Sequence, residues 1–171
     1  MKRTLLSTSL LIIFSVMTVY AQPDKSKRPS PPATVTGTTA SGVIITIDYS
    51  QPSVKGRALG KDIAAFGEIW RTGANEATAF EISKDASIDG KPLAAGKYGL
   101  YSIPGEKEWT LIFNKTWKTW GTNYKEADDA LRIKVTPSKA KDFAEKMTFN
   151  ISKEGKVYLM WGETQVGFSV K

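Results

Sequence analysis

Apolar and polar residues alternate along most of the chain after residue 33. In the clearest case Val43, Ile45, Ile47 and Tyr49 are separated by residues that are mostly polar. A period of two places one side chain in a core and the next in solvent, so it predicts a half-buried β-strand. Similar alternation, or a run of β-branched residues, is found at residues 33–38, 78–82, 97–103, 109–113, 131–135, 147–151, 157–161 and 166–170.

Turn-forming residues separate these segments, notably at 39–42, Asp89-Gly90 and Glu154-Gly155. Regularly spaced short strands with one wet face are typical of antiparallel sandwiches and barrels. We therefore predict an all-β fold, an antiparallel β-sandwich of nine or ten strands that is jelly-roll-like or prealbumin-like. One or two short helical turns are expected, at Asp62–Phe66 and Lys125–Leu131.

The N-terminus has the pattern of a secretory signal peptide. Lys2-Arg3 precedes a mostly apolar run from Leu5 to Tyr20, and Val19-Tyr20-Ala21 provides small or medium residues where a signal peptidase cleaves. The alternative is a membrane anchor, but the run has 16 residues, diluted by Ser and Thr, and a span needs about 20. We predict cleavage after Ala21 and export to the periplasm, the cell surface or the medium.

The predicted mature chain has two parts. Residues 22–32 contain four prolines among charged residues and serines, which favours a flexible leader. Residues 33–171 are predicted to form a single β-sandwich domain with no transmembrane segment. The oligomeric state does not follow from these patterns.

Composition narrows the possible chemistry. The chain has no His and no Cys, which removes Ser-His-Asp triads, thiol nucleophiles and Cys/His zinc sites. We expect no metal and no cofactor. The net charge of +7 is dispersed over the sequence, whereas nucleic-acid binding requires a basic patch, so a nucleic-acid partner is not expected.

The first candidate segment is the long connection between residues 51 and 76. It gathers Arg57, Trp70, Arg71, Asn75 and Glu76 among small residues. Guanidinium groups bind carboxylates or phosphates, and an amide donates and accepts at once. The alternative is a buried polar network in which Arg57 or Arg71 pairs with Glu76 and Trp70 lies in the core.

A second candidate segment carries Trp117, Trp120 and Tyr124, followed by Asp128-Asp129. Aromatic rings at loop level can stack on the flat faces of sugars, and they can equally cover the open end of a core. The two acids could be a metal arm, a general base or a solvated turn, and two adjacent acids are weak evidence for calcium.

The order of motifs resembles the secreted bacterial family grouped as domain of unknown function 2911. The resemblance covers residues 30–170, and it implies a secreted β domain without an established activity. In place of Gln51 we expect an Arg in that family, so one positive group is missing here. The motifs are Tyr49-Ser50-Gln51-Pro52, Lys55-Gly56-Arg57, Phe66-Gly67, Trp70-Arg71-Thr72-Gly73-Ala74-Asn75-Glu76-Ala77-Thr78, Ala95-Gly96-Lys97-Tyr98-Gly99-Leu100, Ile103-Pro104, Trp109, Asn114, Trp120-Gly121, Tyr124 and Trp161-Gly162-Glu163.

Three hypotheses of function follow. The first is a cell-envelope module that binds a small molecule or a saccharide. The second is a glycosidase-like hydrolase that uses Glu76 with Asp128, Asp129 or Glu163, because such chemistry needs only two carboxyl groups. The third is a structural or interaction domain. The residues predicted to bind the ligand of the first hypothesis are Arg57, Trp70, Arg71, Asn75, Glu76, Trp120, Tyr124 and Asp129.

Overall fold

A computed structural model describes residues 24–171, so the predicted signal peptide at 1–21 lies outside the described residues. It contains ten strands and two short 3-10 turns, η1 at Lys25–Lys27 and η2 at Glu126–Asp128. The strands are β1 (Pro32–Thr38), β2 (Ile44–Ser50), β3 (Thr78–Ile82), β4 (Ala86–Ile88), β5 (Lys91–Leu93), β6 (Gly96–Ile103), β7 (Trp109–Asn114), β8 (Asp129–Val135), β9 (Ser138–Ile151) and β10 (Lys156–Ser169).

One layer is a six-stranded sheet in the order β1-β2-β3-β6-β7-β8, and every neighbouring pair is antiparallel. The core-facing residues of its strands alternate as their sequences predict, whereas β6 and β7 are buried on their outer face as well. Ile45, Ile47, Phe80 and Ile82, for example, are all buried on the face that forms the core. The all-β antiparallel prediction is therefore confirmed.

The second layer is built on a long hairpin of β9 and β10. The β4–β5 hairpin extends this layer, because Ile88 bridges Val170 and Ser87 exchanges two backbone hydrogen bonds with Lys171. The Asp89-Gly90 turn predicted from the sequence joins β4 to β5. Both of its residues have the positive φ of a type I′ turn, 45° and 85°.

Aromatic rings join the two layers. Phe168 of β10 lies 5.8 Å from Phe80 and 5.7 Å from Phe113, while Tyr49 packs edge-on against Phe149 at 4.9 Å between ring centroids. Edge-to-face pairs at this spacing add to the stability that area burial alone provides. The core of the sandwich is thus closed by contacts between residues far apart in the sequence.

Three details of the predicted elements differ from the structure. Segments 157–161 and 166–170 belong to one continuous strand, and β9 begins well before residue 147. Much of β9 before Met147 is exposed, so its sequence lacks the alternation that a buried face imposes. Residues 62–66 form non-helical turns, whereas η2 is the short helical turn predicted after Lys125.

A smaller apolar cluster lies on the outer face of the six-stranded sheet. It consists of Ala77, Tyr101 and Ile112, with Tyr124 packed against it. The loop between β7 and β8 therefore lies against this face. Within residues 24–171 no helix is long and apolar enough to cross a membrane.

Candidate functional site

The crossover at residues 51–77 joins β2 to β3 and pairs with both layers of the sandwich. Near its start, Val54 donates its backbone N–H to Glu145 of β9 at 2.8 Å. Near its end, Trp70 exchanges two backbone hydrogen bonds of 2.8 Å with Ser102 of β6. Trp70 thereby continues the line of β3 beside β6, and the residues between Trp70 and β3 bulge outward.

Trp70 is an anchor of this bulge and belongs mainly to the core. Its ring stacks on Trp161 at 5.2 Å with an interplanar angle of 13°, and meets Trp109 edge-on at 6.2 Å. Its Nε1 donates to the carbonyl of Gly73 at 3.0 Å. The indole of Trp70 therefore mainly stabilises the packing of the crossover against the sandwich.

The bulge is bent by residues in the left-handed region. Thr72 has φ 49° and Asn75 has φ 61°, and for a β-branched residue such a φ is a strained exception. Thr72 is fully buried; its hydroxyl donates to Ser102 Oγ at 3.0 Å and its carbonyl accepts from Thr78 Oγ1 at 2.8 Å. A Cβ on Gly73 would lie 2.7 Å from Thr78 Oγ1, so the bend requires glycine there.

Asn75 ties three segments together. The side-chain Nδ2 of Asn75 donates to the backbone carbonyl of Ser30 at 3.0 Å and to Ser50 Oγ at 3.1 Å. The backbone carbonyl of Asn75 accepts from the backbone N–H of Gly121 at 3.1 Å. The predicted ligand-binding amide is thus occupied by contacts within the protein. Its effect on the site is to position the leader and the segment 119–121.

Glu76 is held by two cations of the leader. Arg28 Nη1 donates to both carboxylate oxygens, at 3.0 and 2.8 Å, and Lys25 Nζ donates at 3.0 Å. Burial raises the pKa of Glu76, but hydrogen bonds from its own backbone N–H and from these cations outweigh that effect and lower the pKa to about 2. Neither Arg57 nor Arg71, the two predicted partners in the network alternative, forms this ion pair.

Glu76 also bridges Trp120 through the backbone, and both residues line a cleft of about 520 Å³ on the outer face of the six-stranded sheet. We call it the tryptophan cleft. Trp120 is 49% exposed and Trp117 is 36% exposed, so two indoles border it. Its other lining residues are Lys25, Pro32, Asp48, Tyr49, Ser50, Ala77, Ala79, Lys97, Lys118 and Thr119.

Charged side chains of three adjacent strands lie beside the tryptophan cleft. Lys97 Nζ lies 3.1 Å from Asp48 and 3.4 Å from Glu81, and 4.7 Å from the ring centroid of Trp117. Desolvation lowers the pKa of Lys97, and the two carboxylates reverse that effect, so the net shift is upward. The lysine is thus a fixed cation that positions the Trp117 ring.

A second cleft, which we call the arginine cleft, has a volume of about 340 Å³. Its lining residues are Ile69, Trp70, Arg71, Gly121, Thr122 and Tyr124. The arginine stem packs against Gly121, where an added Cβ would lie 2.8 Å from Arg71 Cβ and 2.9 Å from its Cγ. The segment 119–121 contributes to both clefts, so Trp120 and Arg71 line different cavities.

Tyr124 and Asp129 belong to a polar network at the edge of the arginine cleft. The Tyr124 hydroxyl donates to Asp129 at 2.8 Å and accepts from Arg132 at 2.7 Å, while Asn114 Nδ2 donates to the other oxygen of Asp129 at 2.8 Å. Burial and the hydrogen bond to Asp129 raise the pKa of Tyr124 to about 12. This phenol is therefore a neutral, fixed wall of the cleft.

Arg57 lies apart from the other predicted residues. Its Nε donates to the carbonyl of Val54 at 3.1 Å and its Nη2 to that of Ser53 at 2.7 Å. It lines a third cleft, of about 310 Å³, which also contains Phe143 and Glu163. The structure therefore gives Arg57 a local role in the first turn of the crossover.

The acids proposed as hydrolytic partners of Glu76 do not line its cleft. Glu163 lines the third cleft, Asp129 is fixed by Tyr124 and Arg132, and Asp128 accepts from the hydroxyl of Thr116 at 2.8 Å. A carboxyl group whose pKa is about 2 is ionised near neutral pH, so Glu76 is unsuited to the role of general acid, which requires a protonated carboxyl group. None of the three predicted acid pairs is therefore formed in this cleft. Asp48 shares the cleft with Glu76, but it is paired with Lys97 at 3.1 Å.

Several residues of the tryptophan cleft were outside the predicted binding set, namely Lys25, Asp48, Lys97 and Trp117. Asp48 and Lys97 occupy outward-facing strand positions, which the alternation identifies only as solvated. The order of strands in the sheet brings them together, and a local pattern does not contain that order.

Comparisons with known proteins support one assignment. Residues 30–170 match the profile of the family described as Protein of unknown function (DUF2911). No curated protein and no solved structure matches the chain.

Proposed function

The chain belongs to the DUF2911 family, whose description states no activity, and from the geometry of the tryptophan cleft we propose a saccharide-binding module of the cell envelope. The observation that carries this proposal is the pair of exposed indoles, Trp117 and Trp120, at the border of a cleft with polar and charged walls. Its volume, about 520 Å³, lies in the range of small-ligand sites, about 300–1,000 Å³.

The two kinds of surface in the cleft suit the two kinds of surface on a sugar. A pyranose ring has apolar C–H faces, which can lie on an indole, and a rim of hydroxyls, which donate and accept hydrogen bonds. Asp48 and Glu76 can accept from hydroxyls, and Lys97 can donate to them. Trp and Tyr also provide contact area at a low cost in conformational entropy.

The charges of the cleft favour a neutral ligand. Its charged pairs are already formed within the protein, so an ionic ligand would have to displace one partner. The pairs are Lys97 with Asp48 and Glu81, and Glu76 with Lys25 and Arg28. A hydroxyl can add a hydrogen bond to a paired carboxylate without this competition, because each carboxylate oxygen has more than one lone pair.

Export is part of the same proposal. The pattern of residues 1–21 supports a cleaved signal peptide. A module exported in this way meets the glycans of the envelope, and the third hypothesis, a purely structural domain, leaves the exposure of both indoles unexplained.

The test is a glycan array followed by titration calorimetry on the best saccharide. We compare the wild type with Trp120→Ala, and with Phe143→Ala as a matched control that removes another exposed aromatic, 59% exposed and outside the tryptophan cleft. We expect Trp120→Ala to weaken binding about tenfold or more, as loss of a central aromatic anchor does. Phe143→Ala should bind as the wild type does.

Two outcomes would contradict the proposal. One is an array on which the wild type binds no saccharide above the signal of a Trp117→Ala/Trp120→Ala double variant. The other is a saccharide whose affinity falls equally in Trp120→Ala and Phe143→Ala.

A further inference from the structure

The arginine cleft contains a cation without a counter-charge. Arg71 Nε is buried, and across residues 24–171 it has no hydrogen-bond partner. Nor does any carboxylate of that part of the chain lie within ion-pair distance of Arg71. A partly buried charge without a partner is costly, so its retention requires a reason.

Two acids near Arg71, one in the sequence and one at the edge of the cleft, are already paired with other cations. Glu76, five residues along the chain, is held by Lys25 and Arg28. Asp129, beside Tyr124, is held by Arg132 at 2.7 Å. The guanidinium therefore has no carboxylate partner within residues 24–171, and Arg71 lines the cleft.

A second buried polar group, the hydroxyl of Tyr101, lies close to the arginine cleft. The Tyr101 hydroxyl is buried and has no hydrogen-bond partner within residues 24–171. The Tyr101 ring lies 5.0 Å, between centroids, from the ring of Tyr124, which lines the arginine cleft. Burial raises the pKa of Tyr101. A tyrosine hydroxyl can donate a hydrogen bond as well as accept one, so a second unpartnered donor belongs to a residue that packs on the cleft wall.

The remaining walls of the cleft determine the shape of an acceptable ligand. Ile69 is 39% exposed, and Trp70 lines the cleft beside it. Tyr124 is a neutral wall because its hydroxyl is already shared by Asp129 and Arg132. An apolar surface thus adjoins one cation in a volume of about 340 Å³, which is near the lower end of the range for ligand sites, about 300–1,000 Å³.

We propose that the arginine cleft is a binding site for a small organic monocarboxylate, with the carboxylate on the guanidinium of Arg71 and the apolar part against Ile69 and Trp70. A guanidinium offers a planar fork of two N–H donors that matches the two oxygens of a carboxylate. A single cation balances a single negative charge, which favours a carboxylate over a doubly charged phosphate. The proposal is independent of saccharide binding, because it concerns the other cleft.

The experiment follows the Nε–Hε resonance of Arg71 in ¹⁵N–¹H spectra of the folded protein, assigned by its loss in Arg71→Met. The probes are sodium hexanoate and sodium benzoate, with hexanamide as an uncharged control and inorganic phosphate as the alternative anion. We expect both carboxylates to shift the resonance saturably, with a dissociation constant of about 1 mM or lower. Hexanamide should have no effect, and phosphate should have a much smaller one.

Variants of Arg71 then distinguish the contribution of its two-donor geometry from that of its positive charge. In each variant, binding is followed through the backbone resonances of residues that line the cleft. Arg71→Met keeps an apolar stem against Gly121 and should abolish the carboxylate response. Arg71→Lys keeps the charge without the fork and should weaken binding about tenfold. Arg57→Met, at the arginine of the third cleft, should bind as the wild type does.

The proposal is overturned if neither carboxylate produces a saturable shift in the wild type, whatever the variants do. It is also overturned if the cleft resonances respond equally in Arg71→Met. A response to phosphate as strong as that to hexanoate would exclude the monocarboxylate class.

Discussion

Arg28 Nη1 donates to both carboxylate oxygens of Glu76, at 3.0 and 2.8 Å. This contact joins the leader to the end of the crossover, 48 positions apart in the sequence. It places a positive charge at the border of the tryptophan cleft, and it makes Glu76 a reporter of whether the leader is docked.

The first prediction concerns the titration of Glu76. Its pKa is lowered from 4.5 to about 2, so the carboxylate favours the folded state above pH about 4.5, and this contribution is lost as the pH falls through about 2. Removing the cations with Lys25→Ala/Arg28→Ala should return the pKa toward its ordinary value. The measurement is the side-chain carboxyl ¹³C shift of Glu76 as a function of pH.

Arg57→Ala provides the control, since Arg57 binds backbone carbonyls away from Glu76. It should leave the Glu76 titration unchanged. A wild-type midpoint near 4.5 would show that the leader does not dock on Glu76 in solution.

Tyr124 provides a second titration, at the alkaline end. Because its pKa is raised from 10.0 to about 12, the neutral phenol favours the folded state below pH about 10, and this contribution is lost as the pH rises through about 12. Tyr124→Phe removes the hydroxyl shared by Asp129 and Arg132 and should lower the free energy of unfolding by about 1–2 kcal/mol. In an alkaline titration followed by ultraviolet difference absorbance, the variant should have one fewer tyrosine that ionises at high pH than the wild type.

The direct ion pair between Asp129 and Arg132 survives this substitution, so Tyr124→Phe tests the hydroxyl itself. If its titration curve overlays that of the wild type, Tyr124 is not the late-ionising group.

Phe168 tests the sandwich. It contacts rings of two strands in the opposite layer, Phe80 and Phe113. Phe168→Ala should therefore reduce the free energy of unfolding by about 3–5 kcal/mol, measured by urea denaturation. Phe143→Ala, at a ring that is 59% exposed, should change it by no more than about 0.5 kcal/mol. Equal effects would mean that the hairpin does not pack on the sheet through Phe168.

The fourth prediction concerns processing. When the full chain is expressed in a bacterial host, the exported fraction should have the intact mass of a protein that begins at Gln22. Ala21→Arg should block cleavage, because a small residue is required at that position. A cytosolic product that retains residues 1–21 would contradict the export prediction.

The strands were predictable because the alternation of apolar and polar residues follows from the burial of one face of each strand. The residues that β2, β3, β6 and β7 contribute to the core between the layers follow a period of two. The Asp89-Gly90 turn was predictable because both of its residues must adopt a positive φ. The early part of β9 was missed because it is largely exposed and its side chains are not sorted by burial.

The site was predicted less completely than the fold. The motif from Trp70 to Glu76 combines residues with separate tasks: Trp70 and Thr72 hold the bulge, Asn75 positions its neighbours, and Glu76 and Arg71 line different clefts. Adjacent residues in a bulge point in different directions, so proximity in the sequence overestimated their proximity at a site. The pairing of Glu76 with leader cations is a long-range contact that no local pattern contains.

The stacked indoles of Trp70 and Trp161, 5.2 Å apart and 13° from parallel, have a spectroscopic consequence. Two indoles this close couple their strong far-ultraviolet transitions, so the pair should give a far-ultraviolet circular dichroism signal that neither ring gives alone. Trp70 belongs to the crossover and Trp161 to the long hairpin. Their coupling is therefore an intrinsic optical probe of the crossover docking on the sandwich, one that requires no label.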